Sequence, residues 1–203
     1  MSLLTDVPSP ARPYWEAPPK SRVGDTDPTQ IYLNVGVALS NWANVEGIFA
    51  MLFTLFIDAR TRGAARVFGS IGGLMGKVDA LKAATGAAFF QRGVSLEDGK
   101  DWNLLLEHYR EATSRRNEIA HGMVMGYRIE DEERGSFLVP AYNTKKSNPF
   151  WMNEAADDFL DRVGQYRYTS GDIAYLSNKF RELRDWAVRF HIAYSAKYSA
   201  PTP

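Results

Sequence analysis

Proline placement constrains this chain more than any other feature. Six of its ten prolines lie in the first 28 residues (Pro8, Pro10, Pro13, Pro18, Pro19 and Pro28), two more lie in the last three, and none occurs from Thr29 to Val139. Proline lacks a backbone donor and clashes with the preceding turn inside a helix, so both ends favour extended backbone. Residues 1–27 are expected to form a proline-rich, extended or partly disordered arm, with Tyr14 and Trp15 able to anchor it to a groove. The proline-free stretch can be helical, and residues 28–203 read as one domain.

Apolar periodicity supports helices there. Asp27 followed by Pro28 suits a cap and a first-turn proline, and Ile31, Val35, Ala38, Leu39, Trp42, Val45, Phe49, Leu52, Phe53 and Phe56 recur at three- and four-residue steps, predicting a helix over about 28–58. A second helix is expected from Ala64 to Phe90, where Gly69, Gly72, Gly73 and Gly76 cost helix propensity and imply close contact with a neighbouring helix. A third runs from Leu96 to Ala120 and stops at Gly122. MVMGYRI and SFLVPAY around DEERG then predict a β-hairpin over about 122–143. A short helix from Glu154 to Val163 and a strand from Tyr166 to Tyr168 follow. In the last long helix, Thr169 and Asp172 have capping-box spacing, and Ile173, Leu176, Phe180, Leu183, Trp186, Ala187, Phe190 and Tyr194 mark one face. The class is mainly α, with a small β-hairpin inserted after the third long helix.

Composition removes several functions. Twenty-four basic residues balance 24 acidic ones, so a nucleic-acid binder relying on broad phosphate neutralisation is disfavoured and any RNA contact must be local. Without Cys there is no disulfide, thiolate nucleophile or zinc-thiolate site, and the three His residues, His108, His121 and His191, leave little for a metal cluster. No metal or other cofactor is expected. The opening MSLLTDVPSPARPYW lacks the basic start and apolar core of a secretory signal, giving a cytoplasmic expectation. Val45 to Ile57 is 13 residues with Glu46 inside it, short of the roughly 20 needed to cross a bilayer, so it reads as a core helix and no membrane partner is expected.

Two superficial motifs fail. Gly72 to Val78 has Ile71 where a phosphate loop needs its first Gly and Val78 where it needs a magnesium-binding hydroxyl. The serines lack recognisable His and Asp partners for a hydrolase. His108 and His191 read as surface or packing residues, Trp42, Trp102 and Trp186 as core or interface aromatics, and Tyr127 as a strand residue.

Ser114-Arg115-Arg116-Asn117-Glu118-Ile119-Ala120-His121-Gly122 places an Arg, a polar residue, three further residues and a His at the end of a helix. Helix physics alone favours cations and Gly there, because cations suit the negative end of the dipole. The string nevertheless resembles the Arg-polar-x3-His signature of HEPN domains. Its setting is similar too: a first helix carrying Ser40-Asn41-Trp42-Ala43-Asn44-Val45-Glu46, a second helix, then the motif closing a long one. The resemblance covers roughly residues 28–125 and, less specifically, the last helix. It implies an up-and-down helical bundle and a metal-independent ribonuclease site assembled between two subunits, as in toxin or defence proteins paired with a protein antitoxin. In the branch silenced by nucleotidylation a Tyr stands two residues after the His; here that position is Met123, which speaks against that regulation.

The chemistry is consistent with the residue types. Cleaving RNA through its own 2′-hydroxyl requires a proton acceptor, positive charge for the phosphorane-like transition state, and a proton for the leaving oxygen. Histidine can exchange protons near neutrality, and arginine offers a fixed fork of donors to phosphate. His121 is the candidate proton carrier, Arg116 the phosphate ligand, and Asn117, four residues before His121, the group that orients the imidazole. Arg116 and His121 are five residues apart, about 140° around a regular helix. Either the helix loosens before His121, or the working pair is assembled across a two-fold axis in a homodimer.

Helical projection puts Arg116 on the apolar stripe of Trp102, Leu105, Tyr109, Ala112 and Ile119, and Glu46 among Trp42, Phe49 and Phe53. A buried charge needs a partner, so Glu46 is expected to pair with Arg116. The opposite stripe, Asn103, Glu107, Arg110, Ser114, Asn117 and His121, is wholly polar and should face water or a cleft. The expected function is a metal-independent endoribonuclease acting on RNA. The alternative is a non-catalytic helical interaction or nucleotide-binding module.

Overall fold

A computed structural model describes residues 3, 4, 7, 8, 14–59, 61–129, 132–141 and 165–198. Among them are five helices, α1 (Pro28–Phe56), α2 (Gly63–Ser70), α3 (Leu74–Arg92), α4 (Leu96–His121) and α5 (Ser170–Tyr198), and one antiparallel sheet of two strands, β1 (Gly122–Ile129) and β2 (Glu132–Pro140). The protein is mainly helical with a small hairpin, as its periodicity predicts. The helix expected at Glu154 to Val163 lies outside the described residues. The chain forms two compact units, one of Met1–Trp15, Ala43–Thr113 and Phe180–Pro203, the other of Glu16–Trp42 and Ser114–Lys179.

The first unit is built around aromatic rings. Phe49 of α1 stacks on Tyr109 of α4 with centroids 4.1 Å apart, and Phe56 meets Trp102 at 4.8 Å and Tyr194 at 5.3 Å. All of these are buried, as are Leu52, Leu81, Leu105 and Phe190, and each fully buried side chain of this size stabilises the fold by roughly 2 kcal/mol. The single helix expected from Ala64 to Phe90 is instead two. The turn between α2 and α3 holds Gly73 at φ 75°, a backbone state that favours glycine, while the apolar spacing continues across the break. The glycines do not serve close helix contact: a Cβ on Gly69, Gly72 or Gly73 would meet nothing within 4 Å, and on Gly76 it would meet Ile71.

In the second unit, β2 lies between β1 and two single-residue bridges. Val124 pairs with Leu138 on one side; on the other, Leu138 exchanges hydrogen bonds of 2.8 and 2.9 Å with Tyr168, and Ser136 exchanges 2.8 and 2.9 Å bonds with Asp25. The strand expected at Tyr166 to Tyr168 is thus one bridge. Helix starts follow the sequence signals. Asp27 Oδ1 accepts from Thr29 N at 2.9 Å at the start of α1. At α5 the capping box closes reciprocally, Asp172 Oδ2 accepting from Thr169 N at 2.8 Å and Thr169 Oγ1 from Asp172 N at 3.2 Å. Asp25 adds a second carboxylate, accepting from Ser170 N at 2.7 Å.

Helix α1 is 29 residues long, and its most apolar 18-residue window has mean hydropathy 1.2, enough by length and composition to cross a membrane. One third of that window is buried within the protein, including Val45, Ile48, Phe49 and Leu52. The helix is longer than the apolar run from Val45 to Ile57 because the polar residues Asn34, Ser40, Asn41 and Asn44 interrupt its hydropathy without interrupting its hydrogen bonding.

Candidate functional site

Helix α4 presents two faces, as its projection predicts. Trp102, Leu105, Tyr109, Ala112 and Ile119 are buried, with Arg116 half-buried between Ala112 and Ile119 on their stripe. Asn103, Glu107, Arg110, Asn117 and His121 are exposed and Ser114 is half-buried. Trp42, Trp102 and Trp186 are core side chains and Tyr127 is a buried strand residue.

The motif residues meet only in part. Arg116 donates from Nη1 to Asn117 Oδ1 at 3.0 Å, so Asn117 engages the guanidinium and not, as expected, the imidazole. No hydrogen bond or ion pair joins His121 to another described residue. Helix α4 remains regular through His121, which removes the option that the helix loosens before it. Arg116 and His121 therefore stay about 140° apart within one chain.

The expected pairing of Glu46 with Arg116 is not found. Glu46 is bonded to the Lys77 ammonium and accepts from the Tyr109 hydroxyl at 2.7 Å. Lys77, on α3 and 31 residues away in sequence, answers the charge that helix projection identified. Among the described residues no carboxylate pairs with Arg116, whose Nε is buried without a hydrogen-bond partner.

Sequence reasoning missed a buried, multiply bonded polar group in this region. Glu118, a spacer in the motif, is buried, and its carboxylate takes Arg115 Nη1 at 2.8 Å and the Tyr168 hydroxyl at 2.5 Å. Arg115 Nη1 also donates to Tyr168 Oη at 3.0 Å, and Tyr166 donates to the Glu118 carbonyl at 2.9 Å. Burial, followed by the adjacent Glu118 charge, pushes both phenols well above their ordinary range, so both remain donors. The only local signal was the three-residue step from Arg115 to Glu118, which resembles an ordinary surface pair.

Gly122 does not act as a left-handed stop. Its φ is not positive, and β1 begins at Gly122, immediately after the last helical residue. What it supplies is space: a Cβ there would lie 2.7 Å from Leu138 Cγ and 3.0 Å from the Glu118 carbonyl oxygen. The helix thus passes into the hairpin with His121 at its exposed edge.

A groove of about 330 Å³ in the second unit runs between Val23–Thr26 and the hairpin, lined by Tyr127, Arg128, Glu133 and Arg134 among others. Arg116, Asn117 and His121 do not line it. Among the described residues, no three His, Asp or Glu side chains are grouped so as to hold a metal ion. Compared with models of protein families, with curated proteins and with solved structures, the chain matches none.

Proposed function

We propose that the chain is a metal-independent endoribonuclease of HEPN type, a toxin or defence component acting as a homodimer on RNA. The observation that carries this reading is the exposure of His121 and Asn117 in the last turn of α4, Asn117 accepting from the Arg116 guanidinium, on a helix whose other basic motif residue, Arg115, is bound to a buried carboxylate. Arg116 binds the scissile phosphate, with Asn117 fixing the guanidinium plane. His121 of one protomer removes the 2′-hydroxyl proton as the new 2′-oxygen to phosphorus bond forms. The imidazole of the second protomer gives a proton to the departing 5′-oxygen, leaving a 2′,3′-cyclic phosphate and a 5′-hydroxyl. The 140° separation within one chain is the reason two copies are needed. Ser114, one turn earlier, adds a hydroxyl to the same polar stripe.

Incubating the protein with RNA in excess chelator is the test. The wild type should cleave and His121→Ala should be at least about 100-fold slower. RNA left intact by both would defeat the reading, and a strictly monomeric protein in solution would defeat the composite site.

A second reading, a non-catalytic interaction module that docks a partner such as an antitoxin, is favoured by α1. Its N-terminal half has no charged residue and leaves Tyr32 at 61%, Leu33 at 58% and Val37 at 47% exposure.

A further inference from the structure

His108 is not used by the proposed reaction, yet it is fully buried and its bonding is unusually specific. Its Nδ1 accepts the Trp15 indole N–H at 2.9 Å, and its Nε2 lies 2.7 Å from the Pro8 carbonyl oxygen. A carbonyl can only accept and an indole can only donate, so the ring must be neutral with its proton on Nε2. Around it Tyr14 meets the ring edge-on at 5.4 Å, Trp186 lies at 4.8 Å, and Trp15 stacks on Phe180 at 6.0 Å. Two further ties hold the same N-terminal residues: the amides of Leu3 and Leu4 donate to Asp101 Oδ2 at 2.6 and 3.2 Å, and Tyr14 Oη donates to Glu182.

We propose that His108 is a proton-operated clamp on the N-terminal arm: its neutral ring holds Trp15 and Pro8 against the first unit, and its protonation releases them. The second proton must go to Nδ1, where it would face the indole N–H, donor against donor. One bond is lost and a charge appears in a buried site. Attraction of the cation to the Trp186 ring opposes this, but it is weaker than the cost of burying an unpaired charge.

Among the described residues, the charge that acts on His108 is that of Glu107. From α4, Glu107 adjoins His108 and favours the cation, and Asp101 is engaged by the Leu3 and Leu4 amides; from α5, Glu182 is engaged by Tyr14. Burial outweighs Glu107 and the Pro8 bond and holds His108 below its ordinary value. The released arm, with an ordinary imidazole, therefore binds more protons than the docked one. Docking is at full strength above about pH 6.5 and weakens as pH falls through that value towards the lower one of the docked state.

The test is hydrogen exchange on the intact protein, corrected for intrinsic rates, between about pH 8 and about pH 5. Exchange at the Leu3, Leu4 and Trp15 amides should rise about tenfold or more on acidification, with Leu138 and Tyr168 amides unchanged. His108→Gln, which cannot titrate, should abolish the rise. Trp15→Phe, which keeps the titrating ring but removes the opposing donor, should reduce it. If His108→Gln loosens the arm at every pH, nitrogen NMR of the wild-type imidazole decides: a neutral ring protonated at Nε2, titrating below the ordinary histidine value, supports the clamp. A ring protonated at Nδ1, an ordinary or raised titration, or a full acid response in Trp15→Phe would overturn it.

Discussion

Arg115 and Arg116 are consecutive residues of one helix turn with opposite surroundings. Arg115 is bound to Glu118, whose carboxylate is 3% exposed, and to the Tyr168 hydroxyl. Arg116 reaches only the exposed Asn117 among the described residues. Nε of both guanidiniums is buried without a hydrogen-bond partner, so the difference lies at their outer nitrogens: one step of about 100° separates a closed guanidinium, paired with a carboxylate, from an open one that is not. A closed group contributes to stability because every charge already has its partner. An open group keeps donors available for something outside the chain, so the pair separates what builds this region from what can act.

Six substitutions test that division. Glu118→Ala should have the largest effect, about 3–5 kcal/mol lost in urea unfolding, because it leaves Arg115 largely buried without its anion. A loss under about 1 kcal/mol would break the comparison. Tyr168→Phe removes one hydrogen bond to a charged acceptor and should cost about 2 kcal/mol by the same measurement, with the fold intact by circular dichroism. Gly122→Ala forces Leu138 or the Glu118 carbonyl to shift and should cost about 1–2 kcal/mol. Smallest in stability should be Arg116→Ala, Asn117→Ala and His121→Ala, each within about 0.5 kcal/mol of wild type, while RNA cleavage falls. If these three destabilise as Glu118→Ala does, the open set is structural after all.

Much of this architecture was legible because local rules and tertiary packing agree. Proline punctuation placed the start of α1, the reciprocal Thr169 and Asp172 cap placed that of α5, and the two stripes of α4 matched their exposure. What could not be read depended on partners distant in sequence. Glu46 required a counter-charge, but spacing could not indicate Lys77. Glu118 looked like a spacer because Tyr168, 50 residues on, is what buries it. The break at Gly73 was hidden because apolar spacing carries on through it, and the role of Gly122 depends on Leu138 from another strand. The polar face at the end of α4 was recognisable, whereas the direction in which Asn117 points was not.

Helix α4 gives way to β1 with no residue between His121 and Gly122. Adding one residue there would leave the imidazole in place on the helix but exchange the inward and outward side chains of the whole strand relative to it. Such a seam has no slack for insertions or deletions. Variation in length among descendants of this sequence should therefore accumulate elsewhere, leaving the spacing from Arg115 to Gly122 as a fixed measure of ancestry.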